Sequence, residues 1–426
     1  METLRFYFLT WNVATMPPEE NFSEMLCLNR ETLPDFYIIG LQEVKAQPQN
    51  LLMNALFDDP WNNSFRDLLI TKDFVKIKTI RLQGLLLSIF CQRRHLLKVR
   101  DMETQYTRTG LGGIWGNKGA VSIRLAVSGV SMSIVNCHLS AHDHMKEERV
   151  AEYNTILKSH TYSTKETSYV LYHDYVFWLG DLNFRLKSGA KGSLTADQIG
   201  ALLDKGEIDE LFQQDQLKEV MKSGEAFSEL HEPAIDFPPT YKFNIHSSIY
   251  DLKRRPAWTD RILYKVIPNV YENLTLDCQP ASYRSWEKYY QSDHKPVTAE
   301  FAVKVISDNH DRVVEFDEIQ NWFLDRENSA SFELSADVNL ETGNDWIGIY
   351  KVNFASLEDY IFYIYVPRTS QTAGRLSVTF PDIAIAETGV YQLLYVTHST
   401  ASVLGMSAPF LVTKADPTRS PQRLRF

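Results

Sequence analysis

Apolar residues in the first three hundred positions come in short runs, and that brevity limits the possible folds more than any other feature. Phe6, Phe8 and Thr10 alternate with Tyr7, Leu9 and Trp11, which is the period of a strand. Tyr37 to Leu41, Leu85 to Phe90, Ala120 to Leu125, Ser133 to Cys137 and Val176 to Leu179 are further buried-strand candidates. Helical stretches sit between them. Met145 to Lys158 places Val150, Tyr153 and Leu157 on one face, and Thr195 with Gln198 forms a capping box for Thr195 to Leu203. A third helical segment runs from Ile208 to a stop at Gly224. Strands and helices mixed in this way predict a layered α/β domain.

The pattern changes after Lys304. Phe332, Leu334, Ala336 and Val338 alternate with polar residues, as do Leu376, Val378 and Phe380, and then Tyr391, Leu393 and Tyr395. Short strands at this spacing predict a second domain, an all-β immunoglobulin-like sandwich over 309–414. The final residues, 415–426, contain Pro417, Pro421 and several charges and are expected to form a loose tail. The chain has 426 residues, which suits two domains.

A formal net charge of −10 argues against a general nucleic-acid binder, so no nucleic-acid partner is expected. Cys27, Cys91, Cys137 and Cys278 are widely spaced and form no CxxC pair, which points to free thiols in a reducing compartment. The first eight residues lack the basic start and apolar run of a signal peptide. No apolar run is long enough for a membrane-spanning helix, so membrane contact is expected to be peripheral.

Chemistry gathers where the apolar runs end. Trp11-Asn12, Gln42-Glu43, His138 and Gly180-Asp181-Leu182-Asn183 each close a strand candidate, and Asp293-His294 precedes Val297, Ala299 and Phe301. A single acid at a strand end is ordinarily a solvated turn. Taken together, these residues suit a hard divalent cation and a phosphate, because magnesium takes one or two carboxylates and leaves positions for substrate oxygens. Asp181 is suited to accept a proton from water, and Asn183 to hold that water. A protonated His294 would stabilise a transferring phosphoryl group. His142 and His144 flank Asp143 at a helix start, where Asp143 or Ser140 reads as a cap.

Basic residues mark a second zone. Phe237 to Phe243 is rigid and presents Tyr241 and Lys242, while Lys253-Arg254-Arg255-Pro256 is the densest positive run of the first domain. In an acidic protein that run suits an anion site. The glycine-rich stretch Gly110 to Gly119 lacks the spacing of a nucleotide-binding P-loop. Two readings fit it: a membrane contact through Ile114 and Trp115, or a tight hairpin with a packed Trp115.

Eight motifs now stand in order: Thr10-Trp11-Asn12, Gly40-Leu41-Gln42-Glu43, Gly116-Asn117-Lys118-Gly119, Asn136-Cys137-His138-Leu139, Gly180 to Arg185, Pro239 to Phe243, Pro256 to Leu263 and Ser292 to Pro296. Over residues 1–305 the chain resembles the inositol polyphosphate 5-phosphatases. Asp345-Trp346-Ile347-Gly348-Ile349-Tyr350-Lys351-Val352 resembles a SKICH domain, which points to the branch of the skeletal-muscle-and-kidney-enriched enzyme.

The resemblance implies a four-layer α/β sandwich like that of deoxyribonuclease I. It implies Mg²⁺ on Glu43, with Asn12 adjacent and Asp293 completing the site. Asp181 would activate water, Asn183 position it, His138 and His294 contact the 5-phosphate, and Asp260 brace His294. Tyr241, Lys242 and Arg254 would grip the 4-phosphate, and Asn117 and Lys118 would face the 1-phosphate. The family pattern Lys-x-Arg-x-Pro-Ala-Trp has Leu252 at its first position here, with Lys253 as the neighbouring candidate.

The implied partners are phosphoinositide lipids at a cytosolic membrane face and an unidentified protein for the SKICH domain. The implied location is cytoplasmic, peripheral to the endoplasmic reticulum or plasma membrane. Two rival readings are a nuclease on the same fold and an inactive scaffold.

Overall fold

The computed structural model describes residues 1–19, 21–45, 59–110, 118–187, 193–306, 313–335, 344–366 and 375–414. The expectations for Ile114, Trp115 and Asn117, for Ala336 and Val338, and for the 415–426 tail lie outside these residues. Two compact units emerge. The first comprises Met1–Arg93 with Met102–Asp308, the second Arg94–Asp101 with Asn309–Phe426.

In the first unit, the short apolar runs form the strands of two sheets. One sheet has six strands: β1 (Glu2–Asn12), β2 (Phe36–Gln42), β3 (Phe74–Leu82), β4 (Leu85–Gln92), β10 (Cys278–Ser285) and β11 (Val297–Val305), in the order β10-β11-β1-β2-β4-β3. The other has five: β5 (Val99–Arg108), β6 (Gly119–Val127), β7 (Val130–His138), β8 (Tyr175–Asp181) and β9 (Asp260–Val266), paired in chain order. The alternation in β1 sorts its residues between two faces. Phe6 and Phe8 meet Phe177 of the second sheet, and Phe301 joins them. Tyr7, Leu9 and Trp11 face the other way, into a cluster with Trp61, Phe65 and Leu69 of helix α1 (Pro60–Ile70).

The second sheet is covered in turn by α2 (Lys146–Ser159), α3 (Ala196–Asp204), α4 (Ile208–Phe212) and α5 (Gln216–Ser223), of which α2 and α5 supply Tyr153, Ile156, Leu217 and Val220 to the cluster around Trp178. The unit is therefore a four-layer α/β sandwich. The Thr195–Gln198 capping box is formed at the start of α3.

Three helix expectations need correcting. The segment from Ile208 breaks into α4 and α5, because Asp215 caps a new helix by accepting from Lys218 N; Gly224 does end it, in the left-handed conformation. The face of α2 that faces inward is centred on Arg149, Glu152, Tyr153 and Ile156, with Val150 and Leu157 only partly buried. Hydrophobic period alone misses buried charge that hydrogen bonds hold in place. Neither Ser140 nor Asp143 caps α2: Ser140 is bound to Glu152, and Asp143 pairs with Arg255.

The second unit is all-β. β12 (Val314–Phe316), β14 (Asn328–Leu334) and β17 (Arg375–Phe380) form one sheet. β13 (Trp322–Phe323), β15 (Trp346–Lys351), β16 (Phe362–Tyr365), β18 (Gly389–Val396), β19 (Val403–Met406) and β20 (Phe410–Thr413) form the other. Their inner faces meet through Phe332, Phe380, Ile347, Ile349, Leu393 and Tyr395. Cys27, Cys91, Cys137 and Cys278 are free thiols, and no described helix is long and apolar enough to cross a membrane.

The inter-sheet aromatic packing of the first unit yields a stability prediction. Phe177→Ala removes a fully buried ring from between the sheets and is expected to cost about 3–5 kcal/mol, read as a lowered midpoint in urea unfolding.

Candidate active site

Register brings the chemistry together. β7 and β8 run parallel and align His138 with Asp181, and β9 runs antiparallel and sets Asp260 opposite Asp181. Three functional side chains thus stand on three adjacent strand ends. In the other sheet, parallel β1 and β2 align Asn12 with Gln42, so Glu43 follows at the same edge. β11 pairs antiparallel with β1, Val297 opposite Thr10, which brings His294 back to the end of β1. This is the carboxyl edge of both parallel pairs, where open α/β sheets bind ligands. Gly180 makes the approach possible. Its φ is +142°, and a Cβ there would lie 2.0 Å from Cys137 O, so β8 can pass this close to β7 only with glycine.

The groups converge on the Asp181 carboxylate. His138 Nε2 lies 3.2 Å from Asp181 Oδ2 and 3.8 Å from Glu43 Oε1, and it touches Lys118 Nζ. Asn12 Nδ2 donates to Asp181 Oδ2 at 3.0 Å, and His294 Nε2 is 3.9 Å from the same oxygen. Asn183 N donates to Asp181 Oδ1, and its side-chain amide is held by Leu139 O. Glu43 and Asn183 both sit at positive φ just past their strands, which turns each side chain back toward the edge.

Charge is partitioned sharply here. Burial alone would raise the pKa of Asp181, but His138, His294 and Lys118 outweigh it and hold the carboxylate well below its ordinary range. Burial and the adjacent Lys118 push the His138 pKa down, favouring the neutral ring. Lys118 is itself lowered by burial. For His294, burial opposes the charged form, yet Asp260 and Asp181 together raise the pKa to about 9. Asp260 Oδ2 lies 2.9 Å from His294 Nδ1 and accepts from Thr240 and Thr259. The two imidazoles are therefore biased in opposite directions, His138 toward its neutral form and His294 toward its charged one, the separation an acid–base site uses.

Tyr241 packs its ring 4.5 Å from that of His294, tilted by 38°, and Lys242 pairs with Asp293 at 3.2 Å. Asp293 thus faces Lys242, whereas the three groups that meet within 4.8 Å are Asp181, Asp260 and His294. Lys253 and Arg254 are exposed on a turn tied to Lys242 through Asp251 N and Lys242 O. Arg255 is withdrawn from that rim by Asp143 and the carbonyls of Leu186 and Lys187.

Several supporting residues were given no role in the reading of strand ends. Arg185 lies 4.4 Å over the Tyr241 ring and donates to Asn183 O, joining Asn183 to the basic rim. Its place two residues after Asn183 was the available signal. Ser292 Oγ donates to Asn12 O and receives His294 N, and Trp11 Nε1 donates to His294 O. Gln42 Nε2 donates to Asn136 Oδ1, joining the two sheets beneath the site. The Ser292–Asn12, Trp11–His294 and Gln42–Asn136 bonds span more than ninety positions of sequence, which no local pattern reports.

The donor set fits a divalent cation. Carboxylates dominate it, and Asp260 Oδ1 is buried without a hydrogen-bond partner.

Fold and site together define a protein of the deoxyribonuclease I-like class, with a carboxylate-centred polar site at one edge of its two sheets. Residues 9–300 match the Endonuclease/Exonuclease/phosphatase family 2, and residues 314–412 match the SKICH domain. Inositol polyphosphate 5-phosphatase K of Mus musculus is 35% identical over 96% of this chain and 90% of its own length. Phosphatidylinositol 4,5-bisphosphate 5-phosphatase A of the same species is 34% identical over 96% of this chain, which spans 42% of that relative. The solved 5-phosphatase domain of SPsynaptojanin, in complex with inositol (1,4)-bisphosphate and calcium ion, superposes with a TM-score of 0.61 at 31% identity, covering 71% of this chain and 86% of that one. The chain belongs to the inositol polyphosphate 5-phosphatase family and carries a C-terminal SKICH domain.

The charge partition gives a pH prediction. The His294 pKa is raised in the fold, so its imidazolium persists through neutral pH and is lost as pH rises through about 9. NMR titration of that ring should report this value. Asp260→Asn should bring it down toward the ordinary imidazole value of about 6.5.

Proposed function

We propose that this chain removes the 5-phosphate from phosphoinositides such as phosphatidylinositol 4,5-bisphosphate and 3,4,5-trisphosphate, and from soluble inositol polyphosphates, in phosphoinositide signalling. The observation that carries the reading is the convergence of His138, His294, Asn12 and Lys118 on one ionised carboxylate, Asp181, beside an exposed basic rim. Placement in the skeletal-muscle-and-kidney-enriched branch is supported by the 35% identity and 90% coverage with the K enzyme. We assign catalysis to residues 1–305 and recruitment to 309–414.

Asp181 orients the attacking water and takes its proton, and Asn183 holds that water in line with the 5-phosphorus. A carboxylate ringed by cations is a weak base in the free enzyme. Arrival of a multiply charged phosphate beside His294 and Lys118 offsets that cationic field and raises the basicity of Asp181 when it is needed. Protonated His294 faces the phosphoryl oxygens and stabilises the charge that builds on them, while Asp260 keeps that ring protonated. Neutral His138 contacts the same phosphoryl group. Tyr241, Lys242 and Arg254 seat the 4-phosphate, with Lys253 next to the position that Leu252 occupies. Lys118, with Asn117, faces the 1-phosphate.

Magnesium is the cofactor that suits this site, and Glu43, with Asn12 adjacent and Asp293 completing the set, would hold it. When bound it would neutralise phosphoryl charge. The working location is a cytosolic membrane face, at the endoplasmic reticulum or plasma membrane, with an unidentified protein partner for the SKICH domain.

Asp181→Asn should lower phosphate release from phosphatidylinositol 4,5-bisphosphate by about 10³-fold with the urea-unfolding midpoint preserved, and EDTA should stop the wild-type reaction. Substantial residual turnover in the folded variant would overturn the role given to Asp181. Faster cleavage of abasic DNA than of the lipid would favour a nuclease.

Arg254→Ala should raise KM for the 4,5-bisphosphate about tenfold with kcat little changed, because an exposed rim cation contributes binding. Steady-state kinetics on the purified variant checks this.

A further inference from the structure

The Asp345 to Val352 motif contributes nothing to the hydrolytic site, yet it builds a cavity of its own. In the second unit, β15 pairs with β16, which is an edge strand among the described residues. Trp346 stands opposite Tyr365, and Gly348 opposite Tyr363. Strand alternation sends Ile347, Ile349 and Ile364 into the core and leaves Trp346, Tyr363 and Tyr365 on the outer face. A cavity of ≈180 Å³ opens there, lined by Trp346, Tyr360, Tyr363, Tyr365 and His398.

The lining is constructed. Gly348 leaves the rings their room: a Cβ there would come within 2.7 Å of the Trp346 ring and 2.8 Å of the Tyr350 ring, so those rings would have to shift. Trp346 meets Tyr360 at 5.3 Å and 64°, and Tyr363 at 5.5 Å and 67°. Tyr360 meets Tyr363 at 82°, and Tyr363 meets Tyr365 at 86°. Proline-rich segments dock between roughly parallel aromatic ridges. Rings meeting near right angles form a corner instead, which suits one compact group, and aromatic rings attract such a group when it is cationic.

Charge points the same way. Among the described residues, no lysine or arginine lines the cavity. Glu358 and Asp359 immediately precede Tyr360, and both carboxylates act electrostatically on Tyr350, whose ring packs against that of Tyr360. Asp345 lies beneath, accepting from His398 N. The rim is exposed and amphipathic, with Ile361 beside Tyr360 and with Tyr365, the side-chain types that settle at a membrane–water boundary.

We infer that this cavity is an aromatic cage for an onium ion, and that its occupant is the trimethylammonium group of a choline lipid headgroup at a membrane surface.

The test is sedimentation of the full chain with phosphatidylcholine vesicles against vesicles of digalactosyl diacylglycerol, a neutral bilayer lipid without a cation. The chain should prefer phosphatidylcholine, and soluble phosphocholine should displace it. Tyr363→Ala should weaken that preference about tenfold, whereas Tyr363→Phe, which keeps the ring, should retain it. Hydrolysis of soluble inositol trisphosphate by Tyr363→Ala should match that of the wild type, so loss of the lipid preference is separable from loss of the phosphatase. Equal sedimentation with both lipids, survival of the preference in Tyr363→Ala, or tighter binding of a trimethyl-lysine peptide than of phosphocholine would each overturn the inference.

Discussion

A buried carboxylate surrounded by cations and donors is the constraint around which the first unit is organised. Asp181 is about 1% exposed, and an ionised group so far from water is tolerable only when compensated. His138, His294, Lys118, Asn12 and the Asn183 amide supply that compensation from five separate stretches of chain. Each must be held in place by something else. The layers, the strand register and the glycine at position 180 can all be read as what holds them.

That support is mostly polar and mostly buried. Thr240 and Thr259 orient Asp260, Ser292 ties β1 to the His294 backbone, and the Gln42–Asn136 bond joins the sheets just below. An unpaired partner in such a network would leave a desolvated group, which costs more than the bond itself contributes. The same reasoning explains Arg149 and Glu152 on the inner face of α2. Arg149 donates from its two terminal nitrogens to Ser140 O, His142 O and Gln216, and Glu152 accepts from Thr109 and Ser140. The helix thereby fastens the loop that follows β7.

The two units use aromatic residues differently. In the first, Phe6, Phe8, Phe177 and Phe301 are sealed between sheets and serve cohesion. In the second, Trp346, Tyr360, Tyr363 and Tyr365 gather on an outer face, where burial gives them little and a ligand would give them more. A polar end on each phenol keeps such a surface compatible with water.

Much was legible in the residues alone. Strand runs, their polar ends and the shift to alternation after Lys304 follow from local periodicity, because side-chain period and turn chemistry are properties of neighbouring residues. The eight ordered motifs carried the family resemblance, and with it the expected layers. Other features depended on contacts across the chain. That His138, Asp181 and Asp260 stand side by side is a matter of strand register, and that His294 is charged while His138 is neutral follows from which groups pack against each ring. Arg185 over Tyr241, the break at Asp215 and the box around Gly348 arise the same way. Sequence determined which residue types were available and roughly where strands would end. Only the tertiary structure decided which of them meet and what charge each carries, because electrostatic environment is set by distance in space and by exclusion of water, neither of which is local in the chain.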